Sequence, residues 1–139
     1  MSSSIYARYF VLKPNTNMLE EFQIPEICEP GQSYPLFAAL ADQRNGFGVR
    51  PISQPRHLPE ELQRLQEPFE DPFFLHAFYL TLTEMLAYDW LSPAWHKLRP
   101  SIGESAPLHQ FTRHFREQTL FALQQHQSEG EVYMLFVID

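Results

Sequence analysis

Residues 132–138 read Val-Tyr-Met-Leu-Phe-Val-Ile. No charge interrupts this run, and both alternating sets of side chains are apolar. A strand with one wet face alternates apolar with polar, so this one is predicted to sit centrally, covered on both sides. A central strand needs neighbours. The obvious one is residues 5–12, Ile-Tyr-Ala-Arg-Tyr-Phe-Val-Leu, which are rich in β-branched and aromatic side chains. Turn-forming residues 13–17 follow, and residues 18–24, with Leu19, Phe22 and Ile24, read as a second, edge-like strand. Strands at the two ends of the chain pair most cheaply with each other.

Several helices are expected between the strands. Ser33 is suited to cap a helix, Pro35 falls in its first turn, and Leu36, Phe37, Ala39 and Leu40 follow at helical spacing. Asn45-Gly46 and Gly48 place its end near Gln43. Residues 59–66 form a short polar helix buried through Leu62 and Leu65. Residues 73–80 are apolar and enclose His76. Thr81-Leu-Thr-Glu84 matches a capping box opening a helix to about Tyr88, and Pro93 stops it. Residues 95–103 are ambiguous. A long helix is expected from Ser105 to about Gln127, its stripe being Leu108, Phe111, Phe115, Thr119 and Ala122, joined by Leu120 and Leu123. The prediction is an α+β fold: a small antiparallel sheet from N- and C-terminal strands packed against helices.

The chain has 139 residues, so a single domain spanning 1–139 is expected. A 44% hydrophobic content suffices for a core, which excludes disorder. Lys and Arg total 10 against 17 Asp and Glu, a net charge of −7, so non-specific coating of nucleic acid is not expected. Cys28 is the sole cysteine and forms no internal disulfide. No run approaches the roughly 18 apolar residues of a membrane span, and the N-terminus does not read as a signal peptide. Cytoplasmic placement is the expectation.

Residues 44–58, Arg-Asn-Gly-Phe-Gly-Val-Arg-Pro-Ile-Ser-Gln-Pro-Arg-His-Leu, resist regular structure. A loop this long in a small domain is usually functional or disordered. Phe47, Val49 and Ile52 supply apolar anchors, so an ordered, Arg-bearing loop is predicted.

Several segments resemble a family of small, mostly uncharacterised phage and prophage proteins. They are Tyr34-Pro-Leu-Phe-Ala-Ala-Leu-Ala-Asp-Gln-Arg-Asn45, Pro51-Ile-Ser-Gln-Pro-Arg-His-Leu-Pro59, and His76 with Leu80-Thr-Leu-Thr-Glu-Met-Leu-Ala-Tyr-Asp-Trp90. The closing strand ending in Asp139 also fits. The likeness covers roughly residues 34–90 and the C-terminus. His57 stands where that family tends to have glycine, and Tyr79 where it tends to have tryptophan. The family brings no settled activity; the resemblance implies a phage or prophage origin, with the host cytoplasm as the setting.

Arg44, Arg50 and Arg56 share this loop with Asn45 and His57. Guanidinium groups bind carboxylate or phosphate through paired hydrogen bonds. The arginines either pin the loop to the chain's carboxylates or hold an anion. His76 is either a partly buried histidine satisfied by a carbonyl or a group that contacts ligand and moves protons. Asp89 ends a helix, where its charge calls for a partner, and a loop arginine is the candidate. Trp90, with Tyr34, Tyr79 or Tyr88, either packs in the core or stacks on a base. The six histidines show no metal-binding spacing, and no phosphate-loop or serine-nucleophile motif is present, so neither metal nor cofactor is expected.

Three functions remain open. The first is sequestration of a small anionic ligand, a nucleotide-type host defence signal, by Arg44, Asn45, Arg50, Arg56, His57, His76 and Trp90, in a homo-oligomer. The second is an acidic inhibitor or adaptor of a host protein. The third is a metal-independent phosphodiesterase using His76. Binding without catalysis is the favoured expectation.

Overall fold

The computed structural model describes residues 4–15, 18–45, 48–63, 72–91 and 108–139. The fold is α+β. Four strands, β1 (Ile5–Lys13), β2 (Met18–Phe22), β3 (Phe78–Thr81) and β4 (Glu131–Ile138), form one antiparallel sheet in the order β2-β1-β4-β3. β1 and β4 pair over their whole length, from Ile5 opposite Ile138 to Leu12 opposite Glu131. The closing strand is central, as its unbroken apolar pattern requires, and β2 is an edge.

The sheet's two faces follow from the alternation along its strands. Tyr9 and Val11 of β1, Val132, Met134 and Phe136 of β4, and Leu80 of β3 face the larger core. Phe10, Leu19 and Leu135 face a smaller one, closed by Leu58 and Ala77 with Phe73 and Leu62 packed against it. Each fully buried Leu or Phe contributes about 1.5–3 kcal/mol relative to exposure. Arg8 lies on this second side. Its guanidinium makes two hydrogen bonds to Glu21, at 2.9 and 2.7 Å, and covers the Phe73 ring.

Helix α1 (Tyr34–Ala41) is buried from Pro35 to Ala41 and contributes Leu36, Ala38, Ala39, Leu40 and Ala41 to the larger core. Ser33 caps it, its hydroxyl oxygen accepting from the Leu36 N–H, and Asp42 ends it in the left-handed region at φ 56°. The chain then runs through the long loop to α2 (Glu60–Gln63), α3 (Pro72–His76) and β3. Helix α4 (Leu82–Ala87) opens with the predicted capping box: the Thr81 hydroxyl accepts from the Glu84 N–H, and the Glu84 carboxylate accepts from the Thr81 N–H. The predicted short helix extends past Gln63 into residues outside those described, as do residues 95–103 and the start of the long helix.

Two expectations need correction. Residues 73–80 split into α3 and a strand, so the sheet is not made of terminal strands alone. The expected continuous helix is broken. After α5 (Leu108–Phe111) comes a π-helical turn, Phe115–Thr119, and then α6 (Leu120–Gln124). The cause lies in what the turn faces. His114 Nε2 donates to the Glu29 carbonyl at 2.8 Å, and the Thr119 hydroxyl donates to the Cys28 carbonyl at 2.6 Å. Residues five apart diverge by about 140° on an α-helix but come much closer to one face on the wider π turn, with its i→i+5 bond. The wider turn thus lets His114 and Thr119 hold two successive carbonyls of the 3₁₀ turn at Glu26–Cys28 and its cap. Glu29 is fixed again by its carboxylate, which accepts from the Tyr9 hydroxyl at 2.6 Å. Burial and that carboxylate push the Tyr9 phenol far above its usual range.

The entry into β4 tolerates no side chain. Gly130 has φ 149°, and a Cβ there would stand 2.0 Å from the Leu12 carbonyl oxygen. Gly130→Ala is expected to lower stability by about 1–3 kcal/mol or more, from backbone strain together with disturbed β1–β4 pairing, read by urea denaturation.

Candidate functional site

The long loop is held by side-chain amide chemistry. The Asn45 Nδ2 group donates to the Val49 carbonyl at 2.7 Å and to Asp42 Oδ1 at 2.6 Å. Its Oδ1 accepts from the Val49 N–H at 2.9 Å. Both amide hydrogens are therefore committed, and Asn45 is a clasp rather than a ligand donor. Arg44, beside it, holds φ 55°, a left-handed conformation that costs a non-glycine residue about 1–2 kcal/mol. Val49 is buried, the Ile52 N–H donates to the Ala39 carbonyl at 2.7 Å, and the Tyr88 hydroxyl donates to the Arg50 carbonyl at 2.6 Å. The described part of the loop is ordered by contacts at each of these points.

The arginines meet different fates. Arg44 and Arg50 are exposed at either end of the clasp. The Arg44 guanidinium lies 6.0 Å from the centre of the Tyr34 ring, itself 37% exposed. Burial pushes the Tyr88 phenol up; the nearby Arg50 charge opposes this and Asp89 adds to it. Arg56 is anchored instead to β3 and α4. Its guanidinium pairs with the Glu84 carboxylate and lies 4.2 Å from the centre of the Tyr79 ring. Its carbonyl accepts from the Tyr79 N–H at 3.1 Å. Arg56 pins the loop, as one of its two sequence readings held.

Glu84 serves two elements at once. One carboxylate oxygen accepts from the Thr81 N–H and hydroxyl, each at 3.0 Å, and from Arg56. Partial burial opposes its charge, but the Thr81 donors and Arg56 outweigh that and hold the carboxyl below its ordinary value.

Trp90 is a core residue, which removes it as a stacking platform. It is 6% exposed, its indole N–H donates to the Met85 carbonyl at 2.7 Å, and its ring packs against Phe115 and Tyr88. His57 forms an isolated antiparallel bridge with Phe78, and its ring Nδ1 lies 3.0 Å from the Ala77 carbonyl. His76, the last residue of α3, is exposed. The bridge thus brings the segments of His57 and His76 together across nineteen positions of sequence. Tyr34, one of the aromatics the sequence offered for stacking on a base, is the one that lies beside Arg44. Among the described residues, no group of three His, Cys, Asp or Glu side chains is arranged to hold a metal ion, and no helix is long and apolar enough to cross a membrane.

No family model matches this chain, and no curated protein or solved structure proved similar to it.

Two predictions follow from the clasp and the shared carboxylate. Asn45→Ala removes three hydrogen bonds and leaves a left-handed residue unsupported; it is expected to cost about 1–3 kcal/mol and to speed amide exchange at Val49. Glu84→Gln is expected to destabilise at neutral pH. A depressed carboxyl contributes stability above its unfolded pKa and loses it as pH falls through the folded one. The gap between wild type and variant should therefore close in acid below about pH 4.3, measured by thermal melts across pH.

Proposed function

We propose that this protein binds a small anionic ligand of the nucleotide class at the face formed by Arg44, Arg50 and Tyr34. The observation that carries this is the contrast among the three arginines. Arg56 is paired with Glu84, whereas Arg44 and Arg50 are exposed residues flanking the hydrogen bonds between Asn45 and Val49. A guanidinium fork on a fixed backbone binds phosphate oxygens with little ordering cost. The half-exposed Tyr34 ring beside Arg44 offers a surface for a base. The overall charge of −7 disfavours long polyanions and leaves a local site for a compact one. The resemblance to phage proteins makes a host defence signal the ligand of this class, bound without being transformed.

Thermal melts against linear and cyclic nucleotides, with inorganic phosphate as a control, test the reading. A binder of the folded state raises Tm. Arg44→Ala and Arg50→Ala are each expected to weaken binding about tenfold or more, the worth of a charged hydrogen bond. Arg56→Ala should lower stability before it lowers affinity. A panel with no shift, or a shift indifferent to Arg44 and Arg50, refutes the site. Recovery of a converted nucleotide by mass spectrometry would make the protein an enzyme instead.

A further inference from the structure

The contacts that hold the 3₁₀ turn also build a cavity. His114 and Thr119 bind the Glu29 and Cys28 carbonyls, which fixes residues 24–28 against the helix that follows the π turn. Between that segment and α6 lies a cavity of about 200 Å³. Ile24, Pro25 and Cys28 line one side and Phe121 and Ala122 the other; two glutamines and a histidine complete the lining among the described residues. Ile24 and Ala122 are each 8% exposed, whereas Phe121 is 61% exposed. We propose that this face pairs two copies of the chain about a two-fold axis, the Phe121 ring of each copy entering the cavity of the other.

Three observations select a second copy as the occupant. The first is shape. A cavity of ~150 Å³ accepts benzene, so this one admits a phenyl ring. A two-fold contact uses the same patch on both partners, so it needs a projecting group and a receiving hollow side by side. Phe121 and the cavity it borders meet that need on one surface. The second is charge. Each chain carries −7, so two copies repel over most of their surfaces. Among the described residues lining the cavity, none is Asp, Glu, Lys or Arg. Glu29 and Glu129, close by in sequence, are engaged elsewhere: Glu29 accepts from the Tyr9 hydroxyl, and Glu129 pairs with Lys13 and His126. The centre of a protein interface is depleted of charge in the same way. The third is order. Leu120, Ala122 and Leu123 anchor α6 in the core, and the Phe121 carbonyl accepts from Gln125 Nε2 at 3.2 Å. An aromatic ring presented from a fixed backbone loses little freedom on association.

A standard interface buries about 800 Å² on each partner. One inserted ring and its rim supply less, so the pairing is weak and reversible, with a dissociation constant on the order of 10–100 µM. Arg44, Arg50 and Tyr34 do not line this cavity, and the inference stands apart from the anion site.

Sedimentation equilibrium of the full chain from ~10 µM to ~1 mM tests it. A reversible monomer–dimer equilibrium is expected, strengthening with NaCl as the like charges are screened. Phe121→Asp should weaken it about tenfold or more, with Phe121→Ser as a milder variant. Tyr6→Thr, at a side chain 58% exposed on the Arg8 side of the sheet, should leave it unchanged. Melting curves of dilute samples establish that each variant folds. On dilution of the wild type, the amide resonances of Cys28, Ala122 and Gln125 should move together. A chain that stays monomeric to ~1 mM overturns the proposal. So does a dimer that Phe121→Asp leaves intact, that Tyr6→Thr dissociates equally well, or whose dilution shifts fall on another face.

Discussion

Everything in this fold depends on the pairing of β1 with β4. These strands come from opposite ends of the chain, yet they form the middle of the sheet in continuous register. Contacts so distant in sequence carry a large loop-closure cost, so they form only when much apolar surface is buried with them. The two cores meet that requirement, one on each side of the same two strands. The Asp139 N–H donating to the Ser4 carbonyl extends the ladder by one further step, and the Ser4 N–H donates to the Asp139 carboxylate beside it. The edge strands, the helical layer and the loop are all placed relative to this pair.

The legible part of the fold was the part governed by local pattern. The apolar run at 132–138 announced a central strand, Ser33 and Pro35 announced α1, and Thr81 with Glu84 announced α4. What escaped was set by distant partners. Four residues of β3 are a strand because β4 lies beside them, and an apolar run of that length fits a helix equally well. The break in the long helix follows from two carbonyls some ninety residues earlier in the chain. Hydrophobic period reports which face of a segment is buried, but it does not report what polar groups wait there.

The arginine loop shows the same division. Composition marked it, and its apolar anchors predicted order. Composition treats three arginines alike, however, and the fold separates them. The Glu84 that closes a local capping box also reaches Arg56, twenty-eight positions away. Asn45 looked like a ligand donor because its side chain can both donate and accept; the loop uses that same versatility on its own backbone. Trp90 shows how a buried indole satisfies its polar atom within the core.

The π turn at Phe115–Thr119 also bears on how this chain can change length. Its i→i+5 bond, from the Leu120 N–H to the Phe115 carbonyl, gives it one residue more than an α-helical path. A single-residue deletion there would heal the helix while rotating the preceding segment by about 100° about the axis. His114 and Thr119 would then no longer reach neighbouring carbonyls together. The extra residue acts as a phase setting for the helix, and homologous chains that keep the Cys28–Glu29 clamp should keep the insertion with it.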